Sequence, residues 1–173
     1  MNSNIYFKSL LNKNIYIDLK NVNNNLENNI LKELKSNFEG LCTNDGYIKT
    51  NSINILTYSS GIITNNIKFN VIFECLICYP VEGMKIECIV KNITKAGLRC
   101  QLNTNDTNDD PMIIFIAKDH HFKNKNFNDI VENDIINAKI IGQRFELNDK
   151  YISIIAELEN YDNEATLIQE LKK

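Results

Sequence analysis

Glu39-Gly40-Leu41-Cys42-Thr43-Asn44-Asp45-Gly46-Tyr47-Ile48 decides how this chain divides into elements. Two glycines frame a Cys-Thr pair, and Tyr-Ile follows. The run reads as a helix stop, a tight loop and a strand start in one segment. Upstream, Leu26, Ile30, Leu34 and Phe38 recur at a four-residue spacing, with Leu31 widening the stripe and Lys32, Glu33, Lys35 and Ser36 off it. That spacing predicts an amphipathic helix over 26–38. Asn24 and Glu27 have capping-box spacing, with Asn in place of Ser or Thr. Gly40 ends the helix, because glycine accepts the left-handed position beyond a C-terminus without a Cβ penalty.

Outward from this core, the elements are strands. Ile5-Tyr6-Phe7 and Ile15-Tyr16-Ile17-Asp18-Leu19 are β-branched and aromatic and predict a first strand region. Asn21 to Asn25 is a polar loop. Short strands are expected at 47–49 and 53–58. A turn is expected within 61–67, where Asn65-Asn66 tolerates positive φ. A long strand is expected from Phe69 to Tyr79, too apolar at its centre for one wet face.

Pro80 and Gly83 bracket the expected boundary between residues 1–79 and 80–173. Proline cannot donate to a central ladder and holds Tyr79 extended. Five strand signals follow: Met84–Ile93, Gly97–Leu102, Met112–Ala117, Ile135–Phe145 and Tyr151–Leu158. Five strands with a long connection between the third and fourth predict a Greek-key barrel of the OB type. Gly142 marks a bend or bulge within the fourth. The loop 103–110 is polar and acidic, and the tail from 160 is polar apart from Leu167, Ile168 and Leu171. The fold class is therefore α+β.

At 173 residues the chain offers two small cores, which a permanent partner would help to stabilise. It is 43% hydrophobic and 24% charged, the composition of a globular protein. No apolar run approaches the roughly 20 residues a membrane helix needs, and the N-terminus lacks a signal-peptide core. Five cysteines without framework spacing fit reduced thiols inside a cell. Abundant Asn, Ile and Lys point to an AT-rich genome, such as that of some protists or large DNA viruses. Net charge is −3, so affinity cannot come mainly from neutralising many phosphates.

Cys75 and Cys78 have C-x-x-C spacing, but residues three apart on a strand face opposite ways and cannot chelate one ion. Buried small hydrophobes are the better reading of the cysteines, and no metal site is expected. His120 and His121 are the only histidines, after Asp119 at the end of the third barrel strand. Their ordinary reading is a surface loop; the functional one is RNA contact, because that rim of an OB fold meets nucleic acid. Lys91, Lys95, Arg99, Lys118, Phe122, Lys123, Lys125 and Arg144 add cations and an aromatic ring. They fit either a single-strand surface or a solvated one, and charge alone favours the solvated one. Arg144, beside Phe145, also fits a packing role. No phosphate loop, nucleophile elbow or H-E-x-x-H occurs, so neither an enzyme nor a cofactor is expected.

The order of these landmarks resembles the two-domain stalk subunit of multisubunit RNA polymerases, the seventh-subunit family of RNA polymerase II. Glu39-Gly40-x-Cys42-x-x-x-Gly46-Tyr47-Ile48 is similar to that family's helix-to-strand passage. Phe69-Asn70-Val71 resembles its long strand, and Pro80-Val81-Glu82-Gly83 its hinge. Val90-x-x-Ile93-x-Lys95-x-Gly97 resembles the opening hairpin of its barrel, and Phe115-Ile116-x-Lys118-x-His120 the third strand and its exit.

The resemblance implies a truncated ribonucleoprotein-like tip domain followed by an OB-type RNA-binding barrel. It implies pairing with a small helical subunit like the fourth subunit of RNA polymerase II, docking on large core subunits beside the clamp, and contact with nascent single-stranded RNA. Docking would fall on Lys20, Asn21, Val22 and Asn23, in the loop to Asn25, and on Tyr58, Gly61, Ile62 and Ile63, in the hairpin region 57–67. The first loop departs from the family, with Asn where Pro and aromatic residues are usual. RNA contact would fall on Lys91, Lys95, Arg99, Lys118, His120, His121 and Phe122. The implied location is the nucleus, or a cytoplasmic viral factory and virion if the chain is viral, with no membrane partner. The alternative class is a free-standing single-strand RNA-binding OB module of the translation-factor type. That class has no need of an apolar first domain and should be more basic.

Overall fold

The computed structural model describes residues 5–104, 109–121, 127 and 129–159, with His120 described in its backbone only. They form two compact units, each described by itself below. One holds the residues up to Tyr79 together with Phe145–Ile152; the other holds Pro80–Arg144 and the residues from Ser153 onward.

In the first unit the strands are β1 (Tyr6–Ile17), β2 (Cys42–Thr43), β3 (Gly46–Ile48), β4 (Asn54–Tyr58), β5 (Ile62–Ile63) and β6 (Ile67–Cys78), with one α-helix, α1 (Leu26–Phe38). β6 organises the sheet. It pairs antiparallel with β1 along its whole length on one side. On the other side it pairs in turn with β3, β4 and β5. Its odd-numbered residues Ile67, Phe69, Val71, Phe73, Cys75 and Ile77 are buried. They join Ile15 and Ile17 of β1 and Ile30 and Leu34 of α1 in one core. Phe38 stacks on Phe73 with ring centroids 6.4 Å apart. The helix is held mainly by this burial, since an isolated helix of this length is marginal.

The expected first strand region is one strand, β1, which runs on through the polar stretch Lys8–Asn14: Leu11 is buried while Asn12 and Asn14 face water. Several expectations change. β6 does not have two covered faces; Lys68, Asn70, Glu74 and Leu76 are half-exposed and Ile72 is exposed. The helix cap is Asn25, without a side-chain bond to the helix; Asn23 Oδ1 accepts from the Asn25 N–H at 2.9 Å instead. Positive φ falls at Asn51, Asn133 and Asn148, not at Asn65-Asn66. Gly40 does take the left-handed conformation, at φ 71. Gly46 has φ 120, and a Cβ there would lie 2.6 Å from the Cys78 carbonyl oxygen.

The second unit holds β7 (Lys85–Ile93), β8 (Gly97–Leu102), β9 (Met112–Ala117), β10 (Ile135–Arg144) and β11 (Ile152–Leu158). They close into a barrel in the order β10-β11-β9-β8-β7. The pairs β7–β8, β8–β9, β7–β10 and β10–β11 are antiparallel. A ring of five strands cannot alternate throughout, so the remaining pair, β9–β11, runs parallel. This is the strand order of an OB barrel. Alternate residues fill the interior, among them Ile86, Cys88, Val90, Cys100, Ile114, Ile136 and Ile154. The register slips between Ile140 and Gly142, placing a bulge at the expected glycine. Gly97 has φ 152, and a Cβ on it would lie 2.1 Å from the Ile116 carbonyl oxygen.

The segment 145–152, which connects β10 to β11, contributes to the first unit. The Cys42 N–H donates to the Asp149 carbonyl at 2.7 Å, and the Asn148 N–H donates to the Cys42 carbonyl at 2.9 Å. These bonds close the outer edge of β2, which otherwise ends the sheet. Residues 105–108 of the acidic loop and the tail from 160 lie outside the described residues.

Candidate docking end and nucleic-acid rim

Register brings the two candidate docking segments together. Ile17 and Ile63 both pair with Ile67, from opposite sides of β6. The turn after β1 and the short strand β5 therefore lie at one end of the sheet. The turn is a 3-10 helix, Leu19–Asn21. Lys20, Asn21 and Asn23 are exposed, while Val22 is half-buried against the core. The Asn21 carbonyl accepts from Asn29 Nδ2 at 2.7 Å, so α1 holds the turn in place. Tyr58 lies edge-on to Phe69, with ring centroids 6.2 Å apart. Gly61 runs so close to the sheet that a Cβ would lie 2.6 Å from Ile67 Cγ2. Ile62 and Ile63 are 59% and 81% exposed, and Leu19 is 73% exposed. Beside them Tyr16, Thr64, Asn65 and Asn66 line a cleft of about 400 Å³. Leu19 and Tyr16 were missed in the sequence because strand residues are expected inside; the signal was their position at the end of a strand whose alternate residues carry the core.

The second set lies on the barrel. Lys95 is exposed in the β7–β8 hairpin, where Thr94 Oγ1 donates to the Gly97 carbonyl at 2.9 Å. The Lys118 N–H donates to the Ala96 carbonyl at 2.9 Å, which brings the exit of β9 against that hairpin. Lys95 and Lys118 thus share one rim. Arg99 is exposed on β8 and directly opposite Phe115 on β9, which is half-exposed. A guanidinium beside an aromatic ring on this wall is what a stacked, single-stranded base and its phosphate require. Phe115 was missed as a site residue because its place in an apolar strand reads as core; its outward parity is visible only once β9 is in register.

Other candidates separate from this rim. Lys91 is the bulged residue between Val90 and Asn92, and it faces the Asp110 carboxylate electrostatically. Burial raises the pKa of Asp110, against hydrogen bonds from the Met112 backbone and Gln101. His120 ends the 3-10 turn Lys118–His120. Phe122 lies outside the described residues.

His121 is a core residue, 8% exposed and stacked on Phe127. Its Nδ1 lies 2.9 Å from the Ala117 carbonyl, and its Nε2 accepts from the Leu158 N–H at 2.8 Å. A carbonyl only accepts and an amide only donates, so the ring is the neutral Nδ1–H tautomer. It bridges the exit of β9 to the end of β11 across the parallel seam, and has no atom to offer RNA.

All five cysteines are buried free thiols. Burial pushes Cys42 up to about 11, with the Asp149 carboxylate adding to it. Burial likewise pushes Cys75 up to about 11. Thiols kept protonated in this way are poor nucleophiles and poor metal ligands. Among the described residues no group of three or more His, Cys, Asp or Glu is placed to hold a metal.

The geometry is thus an open sheet with one helix in one unit and, in the other, a barrel in OB order with Lys95 and Lys118 on one rim. No protein-family model matches the chain. It is 28% identical over 191 aligned positions to "Putative DNA-directed RNA polymerase subunit L376" of Acanthamoeba polyphaga mimivirus, across 95% of this chain and 92% of that protein. It is 24% identical over 117 positions to "DNA-directed RNA polymerase II subunit 7" of Arabidopsis thaliana, across 66% of this chain and 62% of that protein. Along nearly its whole length the chain is similar to one DNA-directed RNA polymerase subunit, and over 66% of it to a subunit 7 of RNA polymerase II.

Proposed function

We propose that the chain acts as the noncatalytic stalk subunit of a multisubunit RNA polymerase, with its first unit docking on the core beside the clamp and its barrel rim guiding emerging RNA. The observation that carries this reading is similarity to polymerase subunits along nearly the whole chain, through both the sheet and the barrel. The exposed Leu19, Ile62 and Ile63 are the proposed docking contacts, with Lys20, Asn21, Val22, Asn23, Tyr58 and Gly61 shaping that end. Burying one such isoleucine fully contributes about 1.5–3 kcal/mol before association costs. A small helical subunit is the proposed permanent partner. The surplus apolar surface it would cover lies at Leu10, Leu56 and Ile72, since Phe73 and Ile77 are inside the core.

Proposed RNA contacts are Lys95, Arg99, Phe115, Lys118 and His120, with Lys91 weakened by Asp110 and His121 withdrawn. So few cations on a chain of net charge −3 give weak binding. Its logarithm falls with that of salt at roughly −0.7 per phosphate contact. Docking would hold the rim near the transcript, so that weak affinity suffices. The proposed location follows the polymerase: a nucleus or a viral factory. Purification of the tagged chain from its native source tests this. Large polymerase subunits in the eluate are expected. Their absence, with RNA still bound, favours the free-standing RNA-binding module instead.

A further inference from the structure

The outer wall of the barrel carries a second surface, next to the rim but of opposite chemistry. Ile135, Ile89, Gln101 and Ile113 are direct partners in successive strand pairs, so they form one row across β10, β7, β8 and β9. Direct partners share a face of the sheet, with Cβ atoms about 4.5–5.5 Å apart. Ile135 is 56% exposed, and Val131 just before β10 is 58% exposed. The Val131 N–H donates to Asp134 Oδ2 at 2.9 Å, which fixes the approach to the row. The segment leading into β10 and the row on one side are acidic, with Asp129 and Glu132 exposed and Glu87 half-exposed, while the row on the other side holds the exposed Arg99 and the bulged Lys91. Lys85 and Lys139, one row beyond Glu87, are already paired with Glu159 and Glu157.

The acidic side of the row, away from Arg99 and Phe115, repels phosphates, and an isoleucine row offers nothing to stack a base. We infer that this row is a protein-docking surface for a short amphipathic polypeptide segment. Its apolar side chains lie along Val131, Ile135 and Ile89, and its lysines or arginines face Asp129, Glu132 and Glu87. Charge complementarity selects this partner: a second copy of the chain would bring an equally acidic row against the first. The inference rests on the barrel alone and goes beyond the polymerase reading.

The test uses the full chain and an amphipathic peptide of about 18 residues, with leucines on one face and lysines on the other. Its leucine–glutamate counterpart is the control. The lysine peptide is expected to bind at least about tenfold more tightly, and less well as salt rises. Val131→Asp with Ile135→Asp should weaken it about tenfold or more, although the variant is more negative. Both positions are exposed, so the variant is expected to keep the parent's melting temperature. Equal binding of both peptides, or unchanged or tighter binding by the variant, overturns the inference.

A photo-crosslinker at position 135, in tagged chain from the native source, reads the natural occupant. Adducts mapped to an apolar and basic segment of another polypeptide support the surface. Adducts to RNA, to a second copy or to this chain's residues 160–173, or no adduct, overturn it. Co-purification of large polymerase subunits is scored separately, so failure of the stalk reading is told apart from failure of this one.

Discussion

The end of the sheet and the rim of the barrel solve different problems with the same strand chemistry. At the sheet end Leu19, Ile62 and Ile63 stand in water, where nothing in the fold of the first unit needs them. At the rim the hairpin and strand exit present Lys95 and Lys118, with one exposed isoleucine, Ile93, at the start of the hairpin. Exposed isoleucines carry a cost that only a partner's apolar surface removes. Exposed lysines cost nothing in water and act only when phosphate arrives. The difference teaches that, on the proposed reading, docking and RNA contact fall on separate residues of the two units, so each can be altered without the other.

The sharpest break of that comparison comes at the two glycines that fix the units. Gly97→Val forces a side chain against the Ile116 carbonyl at positive φ. Loss of the folded barrel is expected, a cost of more than about 4 kcal/mol, measured by urea unfolding. Gly46→Val makes the equivalent clash with Cys78 in the sheet. It should cost on the order of 1–3 kcal/mol for the backbone alone, and more for the contact. Equal and small losses at both sites would remove the claim that each glycine determines its unit.

Leu34→Ala, at 0% exposure beneath the sheet, should cost about 2–5 kcal/mol and leave RNA crosslinking by folded protein unchanged. His121→Ala should cost about 1–3 kcal/mol, because it leaves the Leu158 N–H and the Ala117 carbonyl without their partner. A melting temperature unmoved by this change, with RNA binding lost, would return His121 to the rim. The smallest expected effect is at Lys91, a single exposed cation on the β7 bulge: Lys91→Glu should change RNA crosslinking less than about twofold.

Much of the fold was legible because its pattern is local. The helix over 26–38 follows from four-residue spacing, and the barrel strands from alternation bounded by glycine and loop residues. What was not legible depends on partners distant in sequence. Lys8–Asn14 carries no strand signal of its own because it is mostly polar, and pairing with β6 makes it part of one strand. Residues 146–150 read as a turn or loop between barrel strands; the backbone bonds of Asn148 and Asp149 to Cys42 leave no trace in composition. His121 read as a surface residue because histidine next to lysine and aspartate is usually solvated, whereas the parallel seam demands a side chain that both donates and accepts. Phe115 failed in the opposite direction, an outward ring hidden in an apolar run.

The most direct test of the account is a double dissociation in one purification. Tagged chains carrying Ile62→Asp with Ile63→Asp, or Lys95→Glu with Lys118→Glu, are expressed in the native source. Each is measured for large polymerase subunits retained, and for crosslinking of the isolated chain to RNA of about 20 nucleotides. The first pair is expected to lose the polymerase by at least about tenfold and keep the RNA; the second is expected to keep the polymerase and lose most of the RNA. If either pair, with the fold intact, moves both readouts together, or each moves the other's, docking and RNA contact do not reside where the sheet end and the rim place them.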